Sequence, residues 1–89
     1  MKSRASARFW HLYDALPERT RCQADKAFGL WLANPLHPGL RFKRIHGTRP
    51  IYSVRISRDW PALGTVQDDE IVWFWIGSHS DYNQLISRL

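Results

Sequence analysis

Cysteine is almost missing from this chain. Cys22 is the only one in 89 residues, so no internal disulfide can form, and a reducing, cytoplasmic setting is expected. Long hydrophobic runs are missing too. The longest, residues 71–76, is far short of the roughly 18 apolar residues that a bilayer span needs, so no membrane partner is expected. The N-terminal M-K-S-R-A-S-A-R is basic but has no apolar core after it, which excludes a secretory signal. There is no internal repeat, low-complexity tract or linker, and residues 1–89 are expected to form one domain. A chain of this size buries only about 60% of its unfolded surface, so its core is small. Acids are absent between Leu36 and Arg58, a stretch that holds Arg41, Lys43, Arg44, Arg49 and Arg55.

The charge that is present sits asymmetrically. Lys2, Arg4 and Arg8 precede the first acid, Asp14, and Asp68, Asp69 and Glu70 form one acidic block; the net charge is +5. That distribution favours a polyanionic partner, nucleic acid first, over a merely solvated basic face. Hydrophobic residues at 44%, with five tryptophans, supply a globular core and exclude a disordered chain.

Periodicity divides the chain in two. Residues 1–7 are small, polar and charged, and read as a frayed end. Residues 9–16 fit either a short strand or a helical turn, with Phe9, Leu12, Tyr13 and Leu16 at helical spacing. Pro17 and Glu18 open a helix expected to run to about Ala33, with Ala24, Ala27, Phe28 and Trp31 as its apolar stripe and Leu30 and Leu32 beside it. Asn34-Pro35 stops it, and Pro38-Gly39 marks a second turn. After Gly39 the period shortens. Leu40, Phe42 and Ile45 suggest a short strand. Residues 51–57 alternate, with Tyr52, Val54 and Ile56 on one side and Ser53, Arg55 and Ser57 on the other. Residues 60–66 form a weaker strand whose Pro61 implies an edge or a bulge. Residues 67–70 turn, and residues 71–76 are apolar on both faces, as a central strand is. Residues 81–89 suit a short helix with Leu85, Ile86 and Leu89 inward. The fold class is α+β: N-terminal helices packed on one face of a small antiparallel sheet of about four strands, then a short C-terminal helix.

The stretch I-V-W-F-W-I-G-S-H-S-D-Y carries the most functional information, because a core strand runs directly into a polar turn bearing an imidazole and a phenol. Imidazole changes charge near neutral pH, which makes His79 the natural acid or base of a phosphate-directed site; the alternative is a turn histidine bonded to backbone. Tyr82, three residues on, would lie beside it on a helix. Arg55, on the polar side of its strand, offers a planar, permanently charged fork for phosphate. Arg58, Lys43, Arg44 and His46 are expected to line an RNA-binding rim that positions rather than cleaves. Four histidines and one cysteine show no paired ligand spacing, so neither a metal nor another cofactor is expected.

Several segments together resemble toxins of the RelE/ParE superfamily, the small basic members of bacterial type II toxin–antitoxin pairs. They are F-W-H-L-Y-D-A-L-P at 9–17, N-P-L-H-P-G-L-R-F-K-R-I at 34–45, Y-S-V-R-I at 52–56, A-L-G at 62–64 and the closing W-F-W-I-G-S-H-S-D-Y at 73–82. The likeness is collinear over roughly residues 8–87, and its ending is closer to the translation-repressing branch than to gyrase-directed relatives. It implies a curved antiparallel sheet flanked by helices, a cognate antitoxin, and ribosome-dependent, metal-free cleavage of mRNA by Arg, Lys, His and Tyr side chains. On that basis His79, Tyr82 and Arg55 are the catalytic candidates. One departure stands out. The family pattern places a Tyr-Arg pair in the third strand, its arginine on the scissile phosphate, whereas this chain has Trp60-Pro61. Two alternatives therefore stay open: a non-catalytic gyrase inhibitor of the ParE type, and a degenerate toxin that mainly binds its antitoxin.

Overall fold

The change of period near Gly39 marks where the chain stops building helices and starts building sheet. In the computed structural model, which describes residues 1–89, the order is β1 (Lys2–Ala5), α1 (Ala7–Asp14), α2 (Glu18–Ala33), a single 3-10 turn (Pro38–Leu40), β2 (Lys43–Arg44), β3 (Ile51–Ser57), β4 (Trp60–Gln67), β5 (Glu70–Ile76) and α3 (His79–Ile86). The strands form one open sheet in the order β1-β5-β4-β3-β2. The expected α+β class holds, with helices α1 and α2 on one face of the sheet. Strands β2 to β5 are the antiparallel meander that the alternation implied, and residues 9–16 resolve as helix, with Ser6 as N-cap accepting from the Phe9 N–H at 3.2 Å.

The N-terminus corrects the reading of a frayed end. Lys2–Ala5 is a fifth strand, parallel to β5, which makes the sheet mixed. Its N–H groups bond the Asp69 carbonyl at 2.8 Å, from Lys2, and Ser6 continues the pairing to the Trp73 carbonyl at 2.9 Å. The Trp73 indole N–H donates to Ser3 Oγ at 3.0 Å, and Arg4 forms an ion pair with Glu70. An edge strand held by backbone and one ion pair needs no apolar alternation, so its sequence carried no strand signal. Within the acidic block Glu70 thus anchors β1, while Asp68 and Asp69 stay exposed.

Helix α2 lies low on the sheet because the residues beneath it are small. Thr20, Ala24, Ala27 and Trp31 are its buried positions, at spacings of four, three and four. The expected stripe was wider: Phe28, Leu30 and Leu32 are 41%, 38% and 54% exposed. Two alanines allow so close an approach that only a narrow seam is covered. Trp31 is 1% exposed and meets Trp73 edge-on, centroids 5.4 Å apart. Val54, Ala62, Ile71 and Ile76 complete this main core. The α1–α2 corner is tied by Arg21 Nη1, which donates to the Leu16 carbonyl at 3.0 Å, and by the Tyr13 hydroxyl, which donates to Asp25 Oδ1 at 2.7 Å. That bond, with burial and the Asp25 charge, raises the Tyr13 pKa above its ordinary 10.0.

A β-bulge lets the other face of the sheet carry a second, smaller core. Leu63 pairs with Trp75 but Gly64 pairs with Trp73, which leaves Phe74 as the extra residue. Side-chain parity flips there. Ile71 and Trp73 face α2, whereas Trp75 joins Ile51 and Leu63 on the far face, beneath Tyr82 and Leu85 of α3. Of the three residues expected to point inward from the C-terminal helix, only Leu85 packs there; Ile86 and Leu89 are exposed.

Candidate functional site

A groove of about 430 Å³ opens on the far face of the sheet, between the β2 edge and α3, and is lined by Arg41, Lys43, Ser53, Arg55, Ser57, Arg58, Pro61, His79 and Tyr82. Each residue arrives there for a local reason. Alternation along β3 turns Ser53, Arg55 and Ser57 away from Val54 and the main core. In the ladders Lys43 stands opposite Ser53 and Arg55 opposite Pro61. Arg58 occupies the β3–β4 hairpin tip, because Ser57 pairs directly with Trp60.

Pro61 fulfils half of its expectation. Its strand is interior, flanked by β3 and β5, not an edge. The bulge is present: the β3–β4 register shifts between Arg55 and Ser57, where the missing proline N–H would otherwise break the ladder. Its carbonyl accepts from the Gly77 N–H at 3.3 Å. Trp60 packs into the main core, and Pro61 faces the groove beside Arg55.

Helix α3 forms one wall. Ser78 is its N-cap, accepting from the Asp81 N–H at 3.1 Å, so the helix begins at His79, two residues before the expected start. The His79 backbone N–H donates to the Asp59 carbonyl at 2.7 Å and fastens α3 to the hairpin tip that carries Arg58. One helical turn then stacks the His79 and Tyr82 rings, centroids 5.7 Å apart at 23°. Tyr82 in turn rests 6.4 Å from Trp75, the residue that the bulge turned to this face. The His79 side chain is exposed and Tyr82 half-buried, so an imidazole open to solvent is held by a ring anchored in the core.

The electrostatics are one-sided. The groove lining includes no carboxylate, and none of Arg41, Lys43, Arg55 or Arg58 makes a salt bridge. Four cations around an open cleft attract an anion, because no carboxylate lines the cleft or pairs with them. Nowhere do three or more His, Cys, Asp or Glu side chains come together as a metal-binding group.

Five of the seven residues singled out from the sequence meet here: His79, Tyr82, Arg55, Arg58 and Lys43. Arg44 and His46 do not. Arg44 Nε donates to the carbonyls of His46 and Arg49, at 3.0 and 3.2 Å. His46 Nδ1 accepts from the N–H groups of Thr48 and Arg49, at 3.2 and 2.9 Å, and its Nε2 lies 3.1 Å from the Leu89 carbonyl. Both side chains help close the β2–β3 loop and lie outside the groove lining. Arg41 was missed, because it closes the 3-10 turn with a left-handed backbone that no strand or helix period describes.

The sequence and fold both have relatives. Among solved structures, the RelB–RelE antitoxin–toxin complex of Methanococcus jannaschii shares the fold at 17% identity, covering 91% of this chain and 95% of that one, with a TM-score of 0.74. YafQ of Escherichia coli matches at 13% identity over 91% and 96% of the two chains, TM-score 0.73. A copper-bound mutant toxin from Helicobacter pylori matches at 22% identity over 91% and 97%, TM-score 0.64. A search of curated proteins gave no match. The family model of the ParE-like toxin domain matches residues 19–84, well over half of the chain. With that match spanning nearly all of α2, strands β2 to β5 and the groove, the chain belongs to the ParE-like toxin domain family and is a toxin of the RelE/ParE superfamily.

Proposed function

We propose that this toxin is a ribosome-dependent mRNA endonuclease, held inactive by a cognate antitoxin. The observation that carries the proposal is the acid-free groove in which Arg55 and Arg58 flank the stacked His79–Tyr82 pair. Cleavage of RNA without a metal needs a group to take the 2′-hydroxyl proton, a group to protonate the leaving 5′-oxygen, and cations against the charge that develops on the phosphate. His79, exposed and reversible in charge, takes or gives a proton. Tyr82 holds the imidazole and lends a second hydroxyl. Arg55, rigid on its strand, and Arg58, at the hairpin tip, bind the phosphate oxygens. The strand fixes the backbone of Arg55 at the groove, and its unpaired guanidinium is free to take the phosphate as a fork. The antitoxin is proposed as an acidic segment that covers these cations; the solved RelB–RelE and DinJ–YafQ complexes are antitoxin–toxin pairs of this fold.

The test is transcript mapping after brief induced expression, with wild type beside His79→Ala and Arg55→Ala. New 5′ ends inside translated regions, lost in both variants, are expected. Growth arrest without new ends would sink the nuclease and favour a gyrase-type target.

One observation favours a second reading. Pro61 lies across the ladder from Arg55, at the place where the family pattern puts an arginine. A toxin weakened there would retain antitoxin binding and cleave poorly. In the same experiment Pro61→Arg then raises cleavage above wild type; equal cleavage removes the weakened-toxin reading.

A further inference from the structure

The backbone at Arg41 adopts φ 47°, the left-handed region that a residue with a Cβ enters only at a cost and that glycine enters freely. The conformation closes the 3-10 turn: the Arg41 N–H bonds the Pro38 carbonyl at 3.3 Å, and Leu40, 2% exposed, is driven into the core. Glycine would serve the turn better. What arginine adds is a guanidinium that lines the groove, makes no salt bridge and makes no side-chain hydrogen bond. Lys43, two residues on, lines the same wall and is equally unpaired, with the buried Ser53 opposite it in the ladder. Arg58 and His79 stand on the other wall, fixed together by the bond from the His79 N–H to the Asp59 carbonyl. Arg55 lies between them, a diagonal neighbour of Lys43 across the β2–β3 ladder, with Cβ positions of such pairs about 7–8 Å apart. Four unpaired cations along one groove exceed the single negative charge of one phosphodiester.

We propose that Arg41 and Lys43 form a second phosphate subsite at the β2 edge, so that the groove holds a single RNA strand by at least two phosphates: the reacting one near Arg55, Arg58 and His79, and a flanking one at the β2 edge. This rests on the nuclease reading of the groove and adds a register to it. A strand gripped at two points is aligned along the groove, and one of its phosphates is presented to His79. Backbone strain at Arg41 is retained for the side chain it carries.

The test separates the charge from the fold. Arg41→Gly removes the guanidinium and the strain together, so the protein should be at least as stable as wild type to denaturant while it binds RNA less well. Binding of a short fluorescent oligouridylate is measured by anisotropy over a series of salt concentrations for wild type, Arg41→Gly, Lys43→Ala, Arg55→Ala and Arg8→Ala, the last a cation on α1 across the sheet. Arg41→Gly and Lys43→Ala should each weaken binding several-fold at low salt and lower the log–log salt slope by up to about 0.7, the share of the one phosphate they hold together. Arg8→Ala should change neither. If the two β2-edge variants behave like Arg8→Ala while Arg55→Ala binds poorly, the second subsite is wrong and the groove reading survives. If Arg55→Ala also behaves like Arg8→Ala, or wild type fails to bind, the groove reading falls with it. A less stable Arg41→Gly would overturn the claim that the arginine is kept for its side chain.

Discussion

At position 46 an imidazole does the work of a turn cap. Its Nδ1 accepts two backbone N–H groups, so the proton resides on Nε2, which donates to the Leu89 carbonyl. Sequence alone could not separate this histidine from His79. Both read as lying in turns next to a strand, and the difference lies in which nitrogen faces a backbone donor. His46→Ala should cost about 1 kcal/mol of stability, the usual worth of a hydrogen bond, and leave RNA affinity of the folded protein unchanged; denaturant titration beside a binding curve checks both. A fall in affinity matching that of Lys43→Ala would return His46 to the groove. Arg55 was legible as groove-lining through strand parity and Tyr82 through helical spacing, whereas Lys43 was singled out by its basic run and His79 by the polar turn that follows the core strand. Arg41 was obscured by its left-handed backbone, because neither strand nor helix periodicity describes a residue at φ 47°.

The elements position the site through two glycines. Gly64 lies under the bulge, where a Cβ would fall 2.7 Å from Ile71 Cγ1 and 2.9 Å from Trp73 Cε3. Gly77 follows β5, where a Cβ would fall 2.7 Å from Trp75 Cζ2. Both are close approaches of backbone to a large side chain, but they act on opposite faces of the sheet. Gly64→Ala overpacks the main core and should destabilise by about 1–3 kcal/mol, while whatever remains folded keeps its RNA affinity. Gly77→Ala displaces Trp75, on which Tyr82 and then His79 rest, and should impair cleavage more than its loss of stability explains. Thermal denaturation set against cleavage by the soluble fraction distinguishes them; equal effects on both readouts for both variants would refute the division between faces. Strand β3 and helix α2 were readable from their periods, and β5 because it is a continuous apolar run bounded by polar turns. The bulge was not, since it inserts Phe74 within an unbroken apolar run in which a change of face leaves no mark. Strand β1 was unreadable for a different reason: its pairing is to residues nearly seventy positions away, through backbone and one ion pair.

Across the whole molecule the meander separates charge. Successive hairpins of an antiparallel sheet turn at opposite ends, so Arg58 and Asp59 lie at one end of β4 and Asp68 and Asp69 at the other. The eight residues of β4 span about 25 Å at the rise of an extended strand. At physiological ionic strength the Debye length is about 8 Å, and at very low salt about 30 Å. The acidic turn is therefore electrically invisible to the groove in the first condition and opposes an approaching polyanion in the second. Asn for Asp is the conservative change here: Asp68 has φ 57°, which asparagine tolerates as readily, and neither Asp68 nor Asp69 carries the Arg4 ion pair, which belongs to Glu70. The double substitution Asp68→Asn, Asp69→Asn should accelerate association with a single-stranded RNA severalfold at very low salt, and leave it within about twofold of wild type near physiological salt. Stopped-flow mixing at the two ionic strengths decides it. Equal acceleration in both conditions would mean that the polyanion arrives at the acidic end rather than at the groove, and would require the binding surface to be moved from α3 and the β2 edge to the neighbourhood of β1.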